Sequence, residues 1–538
     1  MKNFETIRDK SPEELREEEI EAKIKERGPD GEILGGIILE EEINSKTQEQ
    51  KRYLYIGNPY KETLIITKLE TVASREEVEE IKKGIIPMEE SFEILDAMAR
   101  TYSNREPLLI EAPTAIGKTY LADKFTELRY GRGVKPLDFY CSGQTDVSEL
   151  MAKWVPKVET EEEKRKWNDF LESTDAQIKI SKISQEIEQK RDLPSEQKIA
   201  LIHAELQELA RSIGLADRTQ WRFQYGAVPK AMGLTRAPNG SFSFDEQNGV
   251  GFTLHIEEVG LAEPQVINTL LKLRGNRGKL AEEIQLWENG GKKVNAGPKF
   301  WVFFSTNPPE EYLTRNEIDP ALARGVVFKR MGKLSEESLH LASDYYFTYK
   351  LGGKPAEKPE GCILDIYNYP AIGKEISKVV AAFHNDLDKE LRKGEKGRQQ
   401  KVPLTLDDMA RVAGALIETQ IRDKKTGRLD LTKCLKESID FYYLARLADE
   451  DLKQTMTANL KELLEGDTGK INFEGKIMTR KEIFNILVER ASSSENDLEA
   501  RRIEEKRKIT QLGHDAEDAI DSLLKNLDIP DSVRELLQ

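Results

Sequence analysis

Apolar positions along this chain follow two rhythms. In its first three-fifths, short and nearly continuous apolar runs recur between helix-like stretches. They are "PLLIEA" (107–112), "LDFYC" (137–141), "GFTLHI" (251–256), "KFWVFFS" (299–305) and "GVVFKRM" (325–331). Runs of this length, separated by amphipathic helices such as "SFEILDAMAR" and "YLADKFTEL", predict strands of a parallel sheet covered on both faces. Before them, "ILGGIILEEEI", "RYLYIG" and "TLIITKLETV" predict smaller strands after a charged helical stretch, with Gly57-Asn58-Pro59 as a turn. Beyond residue 335 the period becomes helical, as in "KEISKVVAAFHNDLDKEL" and "TLDDMARVAGALIETQI". The pattern divides the chain into a small mixed α/β unit (1–84), an α/β core (85–335), a helical region (336–450) and a helical C-terminal extension (451–538).

One segment, 159–217, interrupts the strand rhythm. Ala176, Ile180, Ile183 and Ile187 are spaced four, three and four apart, and after "DLPSE" the spacing returns at Ile199, Ile202, Leu206, Leu209 and Ile213, apart from one initial step of three. So narrow a seam predicts an antiparallel helical hairpin paired as in a coiled coil and projecting from the core. A flat helix pair lying on the core fits the same letters. "GLTRAPNGSFSFDEQNG" (233–249) suggests a second projection, and "GKINFEGKIM" (469–478) a small hairpin.

Charge narrows the partners. The net charge is −15 with 33% charged residues, so long-range electrostatics repel nucleic acid. The basic stretch "LRKGEKGRQQK" (391–401) reads either as a local groove or as a solvated loop. No apolar run is long enough to cross a bilayer, and the N-terminus shows no secretory apolar region. The three cysteines and five histidines show no metal-ligand spacing. A cytoplasmic location is the simplest expectation.

"LLIEAPTAIGKTYLADKF" (108–125) carries the first chemistry. Binding a triphosphate needs inward backbone N–H groups in a tight loop ahead of a helix N-terminus, an ammonium, and a hydroxyl for Mg²⁺. Ala112, Pro113, Thr114, Ala115 and Ile116 form the expected loop, and Gly117 allows close approach. Lys118 gives the ammonium, Thr119 the hydroxyl, and Tyr120 begins the helix body. Ala112 stands where the GxxxxGK[ST] pattern has glycine; Pro113 biases it toward extended backbone, where alanine costs little.

Three further strand ends carry polar groups. Glu257 and Glu258 end "GFTLHIEE", where one acid can support Mg²⁺ and the next can polarise a water for in-line attack; a solvated Glu pair is the plain alternative. Asn307, in "STNPPEEY", is placed to hold water or γ-phosphate, or simply to make an Asn-Pro turn. "DPALARGVVFKRM" carries Arg324 and Arg330, either of which could neutralise transition-state charge in a neighbouring subunit or sit on the surface. Taken together, four successive strand ends supply the parts of one nucleotide-hydrolysing site.

These segments resemble the AAA+ ATPases, and within them the MoxR and midasin (dynein-related) branch. "IEAPTAIGKT", "YCSGQTDVSELMAKWVP", "WRFQYGAVPKAMG", "IEEVGLAEPQVINTLLKL", "STNPPEEY" and "IDPALARGVVFK" carry the likeness over roughly 85–450. The resemblance implies a phosphate-loop sheet core with a helical lid, and a ring, expected to be a hexamer, with ATP between subunits. It also implies Lys118 and Thr119 on phosphates and Mg²⁺, Glu257 supporting the metal, Glu258 as catalytic base, Asn307 as sensor 1 and Arg324 as the trans finger. Glu257 replaces the usual aspartate. In the lid, Asp407 stands where an arginine is expected, and Arg411, one turn later, is the best substitute.

The implied activity is ATP-driven remodelling of a partner protein, in this branch often a von Willebrand A-domain protein. The alternatives are a nucleic-acid motor or restriction-type NTPase, and a nucleotide-gated scaffold that hydrolyses weakly.

Overall fold

The computed structural model describes residues 12–29, 33–43, 50–114, 116–156, 177–178, 181–182, 221–237, 240–286, 291–309, 317–348, 370–393, 404–418, 421–424, 428–467 and 470–491. The 159–217 insertion lies outside these residues apart from two short pieces. So do Ala115, the loop 351–361, most of the basic stretch 391–401 and everything beyond 491.

Helix α1 (Pro12–Ile24) precedes an antiparallel meander of β1 (Ile37–Ile43), β2 (Gln50–Ile56) and β3 (Thr67–Thr71), with β2 central. Residues alternate between buried and exposed along β3 because only one face is covered. Ile37, Leu39, Leu54, Ile56 and Leu69 join the same hydrophobic core as the large sheet. Thr71 Oγ1 donates to the carbonyl of Leu128 (2.6 Å), tying β3 to the end of the helix Lys118–Tyr130. Helix α2 (Arg75–Lys83) starts on a reciprocal cap: Glu77 N–H donates to Ser74 Oγ (3.2 Å) and Ser74 N–H to Glu77 Oε2 (2.8 Å). Helix α3 (Glu89–Asn104) then leads into the sheet.

The core is a five-stranded, all-parallel sheet, the α/β fold expected of this sequence. It contains β4 (Leu108–Glu111) and β5 (Leu137–Tyr140), joined by helix α4 (Lys118–Tyr130). Two antiparallel pairs follow: β6 (Ala152–Pro156) with β7 (Trp221–Tyr225), the strands that lead into and out of the insertion, and β8 (Leu234–Arg236) with β9 (Phe242–Phe244). The latter hairpin lies in the segment read as a second projection. Next come β10 (Thr253–Glu257), the hairpin β11 (Glu283–Leu286) and β12 (Lys292–Asn295), then β13 (Trp301–Thr306) and β14 (Val327–Arg330).

Across the sheet the order is β14-β4-β13-β10-β5. Strand β13 is buried along its whole length and inserts between β4 and β10. That insertion brings the carboxyl ends of three chemically loaded strands side by side.

A second core gathers the helices Glu336–Thr348, Pro370–Lys393, Leu406–Glu418, Leu431–Tyr442 and Glu450–Glu465. The hairpin β15 (Ile471–Phe473) and β16 (Lys476–Met478) packs against it. Inside this core His384 Nδ1 lies 2.9 Å from the Tyr443 hydroxyl, and burial pushes its pKa down to about 4. Between about pH 6.5 and 4 the unfolded chain therefore takes up a proton that the folded chain refuses. The corresponding stability is whole above pH 6.5 and is lost as pH falls toward 4, by up to about 3 kcal/mol. Urea unfolding of these helices at pH 7 and pH 5 should show that loss, and His384→Gln should flatten it. An unchanged pH dependence in the variant would refute the assignment.

Candidate functional site

The phosphate-loop segment leaves β4, whose four residues are all buried, and enters α4 at Gly117. Gly117 has φ +86°, a left-handed conformation that side chains resist, and a Cβ there would meet no atom within 4 Å. Its requirement for glycine is thus conformational and not steric. Gly117→Ala should cost roughly 1–2 kcal/mol of stability from backbone strain alone, visible as a lowered Tm without nucleotide. Ala112 shows no such constraint, since its backbone is not left-handed. Alanine is at home there.

Lys118 is buried and its ammonium has well-defined acceptors. Nζ donates to the carbonyls of Ala112 (2.5 Å) and Pro113 (2.9 Å) and to Asn307 Oδ1 (2.7 Å). Because an ammonium only donates, the Asn307 amide must turn its oxygen toward Lys118 and its nitrogen the other way. That nitrogen donates to Glu258 Oε1 at 3.1 Å. Three residues 189 and 49 positions apart are thereby joined in one chain, Lys118–Asn307–Glu258. Strand order is the cause: Asn307 follows β13, which lies between the strands bearing the other two.

Glu258 itself has φ +57°, ψ +38°. A glutamate in the left-handed region costs of order 1 kcal/mol and persists only where its surroundings demand it. Here the turn aims its carboxylate back at Asn307. Behind it, burial first and the Glu258 charge second push the Cys141 thiol up to about 12, so that it stays a neutral packing group.

Glu257 ends β10 half-buried, beside a group the sequence did not reveal. His255, fully buried and two residues earlier on the same strand face, places Nδ1 3.1 Å from Asp138 Oδ1 and 3.6 Å from Glu257 Oε1. Its Nε2 lies 2.9 Å from Ser305 Oγ. Histidines scattered in sequence thus contribute one His–Asp–Glu cluster once strands β5, β10 and β13 pair.

In front of these strand ends is a cavity of about 480 Å³. Its polar wall includes Thr114, Gly117, Lys118, Thr119, Glu257, Glu258 and Asn307; Ile116 and Tyr120 also line it. Its other wall is apolar: Ile86, Met88, Tyr345, Tyr346 and Leu406. Two phenols fix that wall from behind, Tyr120 donating to the Gly84 carbonyl and Tyr345 to that of Lys83, both at 2.6 Å. Ile86, Met88, Tyr345 and Tyr346 were not foreseen. The available signals were "GIIPM" just before α3 and the aromatic pair in "SDYYFTY", neither of which matches a motif with a fixed spacing.

The arginines behave differently. Arg324 is exposed on the short helix entering β14 and does not line the cavity. Arg330 pairs with the buried Glu111 of β4, its register partner. On the helix Leu406–Glu418, Asp407 and Ala410 line the cavity, while Arg411 is exposed and outside it. Among the described residues no helix is long and apolar enough to cross a membrane.

No family model matches this chain, and no curated protein matches it. Solved structures do match it. One is a crystal structure, at 2.00 Å, of a candidate ATPase from Cytophaga hutchinsonii; the match covers 77% of this chain and 93% of that one, at 9% identity and a TM-score of 0.28. A likeness that weak establishes neither family nor activity. The chemistry must be read from the cavity.

Proposed function

We propose that this protein binds ATP in the cavity and hydrolyses it, as an AAA+ ATPase. The Lys118–Asn307–Glu258 chain at the floor of the cavity carries the reading. Triphosphate would take over the Lys118 ammonium and the N–H groups at the start of α4, displacing the loop carbonyls that Lys118 now satisfies. The base would lie against Ile86, Met88 and Tyr346. Glu258 would accept a proton from the attacking water while Asn307 holds both in place. Mg²⁺, when bound, neutralises charge on the phosphate oxygens. Thr119 and Glu257 are the oxygen donors lining the cavity that fit such a hard cation.

Exposure of Arg324, away from its own chain's cavity, fits a finger supplied to a neighbour in a ring, with a hexamer as the expected assembly. Arg324→Ala and Glu258→Gln proteins should each be inactive alone, yet regain up to about a quarter of wild-type ATPase when mixed, because random assembly creates interfaces with both groups intact. No recovery in mixed assemblies would remove Arg324 from the site.

Remodelling of a partner protein in the manner of the MoxR branch, with a von Willebrand A-domain protein as one class of client, is the cellular role that best fits this machinery. The division at 84, 335 and 450 into N-terminal unit, core, lid and extension, and a cytoplasmic location, belong to the same proposal. One observation favours weak hydrolysis in a nucleotide-gated scaffold: Asp407 lines the cavity where a cation is expected, and Arg411 does not. Tight ATP binding with turnover near background would support that reading over the first.

A further inference from the structure

A second cavity, of about 330 Å³, opens at the amino ends of the strands, the opposite end of the sheet from the proposed nucleotide site. It is framed by β3, the last turns of α3 and α4, and the segment entering β13. Lys68, Arg105, Arg129 and Lys299 line it, against one carboxylate, Glu70. Two of these charges are already answered: Lys68 donates to Glu42 (2.6 Å), and Glu70 lies 3.7 Å from Lys51. Arg105, Arg129 and Lys299 have no carboxylate partner among the described residues. In a chain of net charge −15, a hole lined by three uncompensated cations is unexpected.

Arg129 makes the case sharpest. It is only 3% exposed, yet its guanidinium is held by neutral groups: Nη1 donates to Thr253 Oγ1 (3.1 Å) and Nη2 to the Tyr130 hydroxyl (2.6 Å), and the plane lies 3.3 Å from the Tyr102 ring centre. Its Nε is buried and bonds to nothing among the described residues; the same is true of Arg105 Nη2. Ring faces offset part of a buried charge but satisfy no N–H. An arginine so enclosed normally has an anion, because desolvating an unpaired guanidinium is expensive.

We propose that this cavity binds a phosphate-bearing small molecule, with Arg129 and Arg105 presenting N–H donors to its oxygens and Lys299 adding charge at the entrance. Guanidinium forks match phosphate oxygens two at a time, and the volume exceeds that of a bare ion. The inference does not depend on ATP hydrolysis at the other end.

The test uses inorganic pyrophosphate and full-length protein carrying Lys118→Ala, so that the phosphate loop cannot account for binding. Calorimetry at fixed ionic strength should show one pyrophosphate site per chain, with citrate at least ten-fold weaker. Arg105→Gln and Lys299→Gln should each weaken it about ten-fold without lowering the ligand-free Tm. Arg129→Met is the less informative variant, because it also removes the stacking on Tyr102. Absence of binding in the Lys118→Ala protein, or binding unmoved by both glutamine variants, would overturn the site. Equal binding of citrate would overturn the phosphate assignment.

Discussion

Lys118→Ala is expected to reduce ATP turnover by at least ~10²-fold and to weaken ATP binding by ten-fold or more. Two costs combine. The ammonium is the positive charge placed to meet the β- and γ-phosphates, and a charge-assisted hydrogen bond in a partly buried site is worth ~1.5–3 kcal/mol. Its loss also frees Asn307 Oδ1, the atom that fixes the amide's orientation and hence the donor offered to Glu258. Lys118→Arg separates the two: it keeps the charge but not the compact geometry, and should rescue binding more than turnover. Steady-state hydrolysis and equilibrium binding of a slowly hydrolysed analogue measure the pair of effects. Turnover of Lys118→Ala within a few-fold of wild type would remove the phosphate-loop assignment.

Glu258→Gln should do the opposite to binding. Glutamine keeps the size of the side chain and an oxygen that can accept from Asn307 Nδ2, so ATP affinity should stay within about three-fold and Tm should hardly move. What disappears is a carboxylate able to take a proton from water. General-base removal commonly costs ~10²–10⁴ in rate. A large fall in kcat at nearly constant Kd is thus the signature expected, and it differs from that of Lys118→Ala. A parallel rise in Kd would mean that Glu258 holds the loop together instead of acting on water. Its left-handed backbone argues against a purely structural role, because aspartate, asparagine or glycine would sit there at lower cost.

Asn307 links the two ends. Its amide bridges a cation and an anion, so Lys118 and Glu258 are each held by the same group. When phosphate draws the ammonium away, the amide keeps its bond to Glu258 but loses its other anchor. Under the proposed function, the residue proposed to sense the γ-phosphate would also be the one that orients the proposed base. Electrostatics alone suffices for this coupling; no movement of the sheet is required.

Glu257 stands beside the neighbouring cluster. Its Oε1 lies 3.6 Å from the buried His255 ring, itself held by Asp138 and Ser305.

Sequence alone determined the local pieces here. Short apolar runs marked β4, β10 and β13, because a central strand covered on both faces has to be apolar nearly throughout; β5 and β14, marked by similar runs, lie at the sheet edges and are half-buried to exposed. Gly117-Lys118-Thr119 between strand and helix marked the candidate phosphate loop, and the structure gives Gly117 the left-handed φ of +86° that favours glycine. The small hairpin suggested by "GKINFEGKIM" is present as β15 and β16.

What the letters did not carry was adjacency. Any parallel strand offers the same edge of N–H and C=O groups, so pairing order is settled by packing between distant segments. Only the folded sheet put β13 between β4 and β10 and made Asn307 the bridge. Only it gathered His255, Asp138 and Glu257, turned Asp407 instead of Arg411 toward the cavity, and closed Arg129 into a pocket with Arg105 and Lys299. Each depends on which side chains are left facing one another after burial, a property of the whole core that no single stretch of chain possesses.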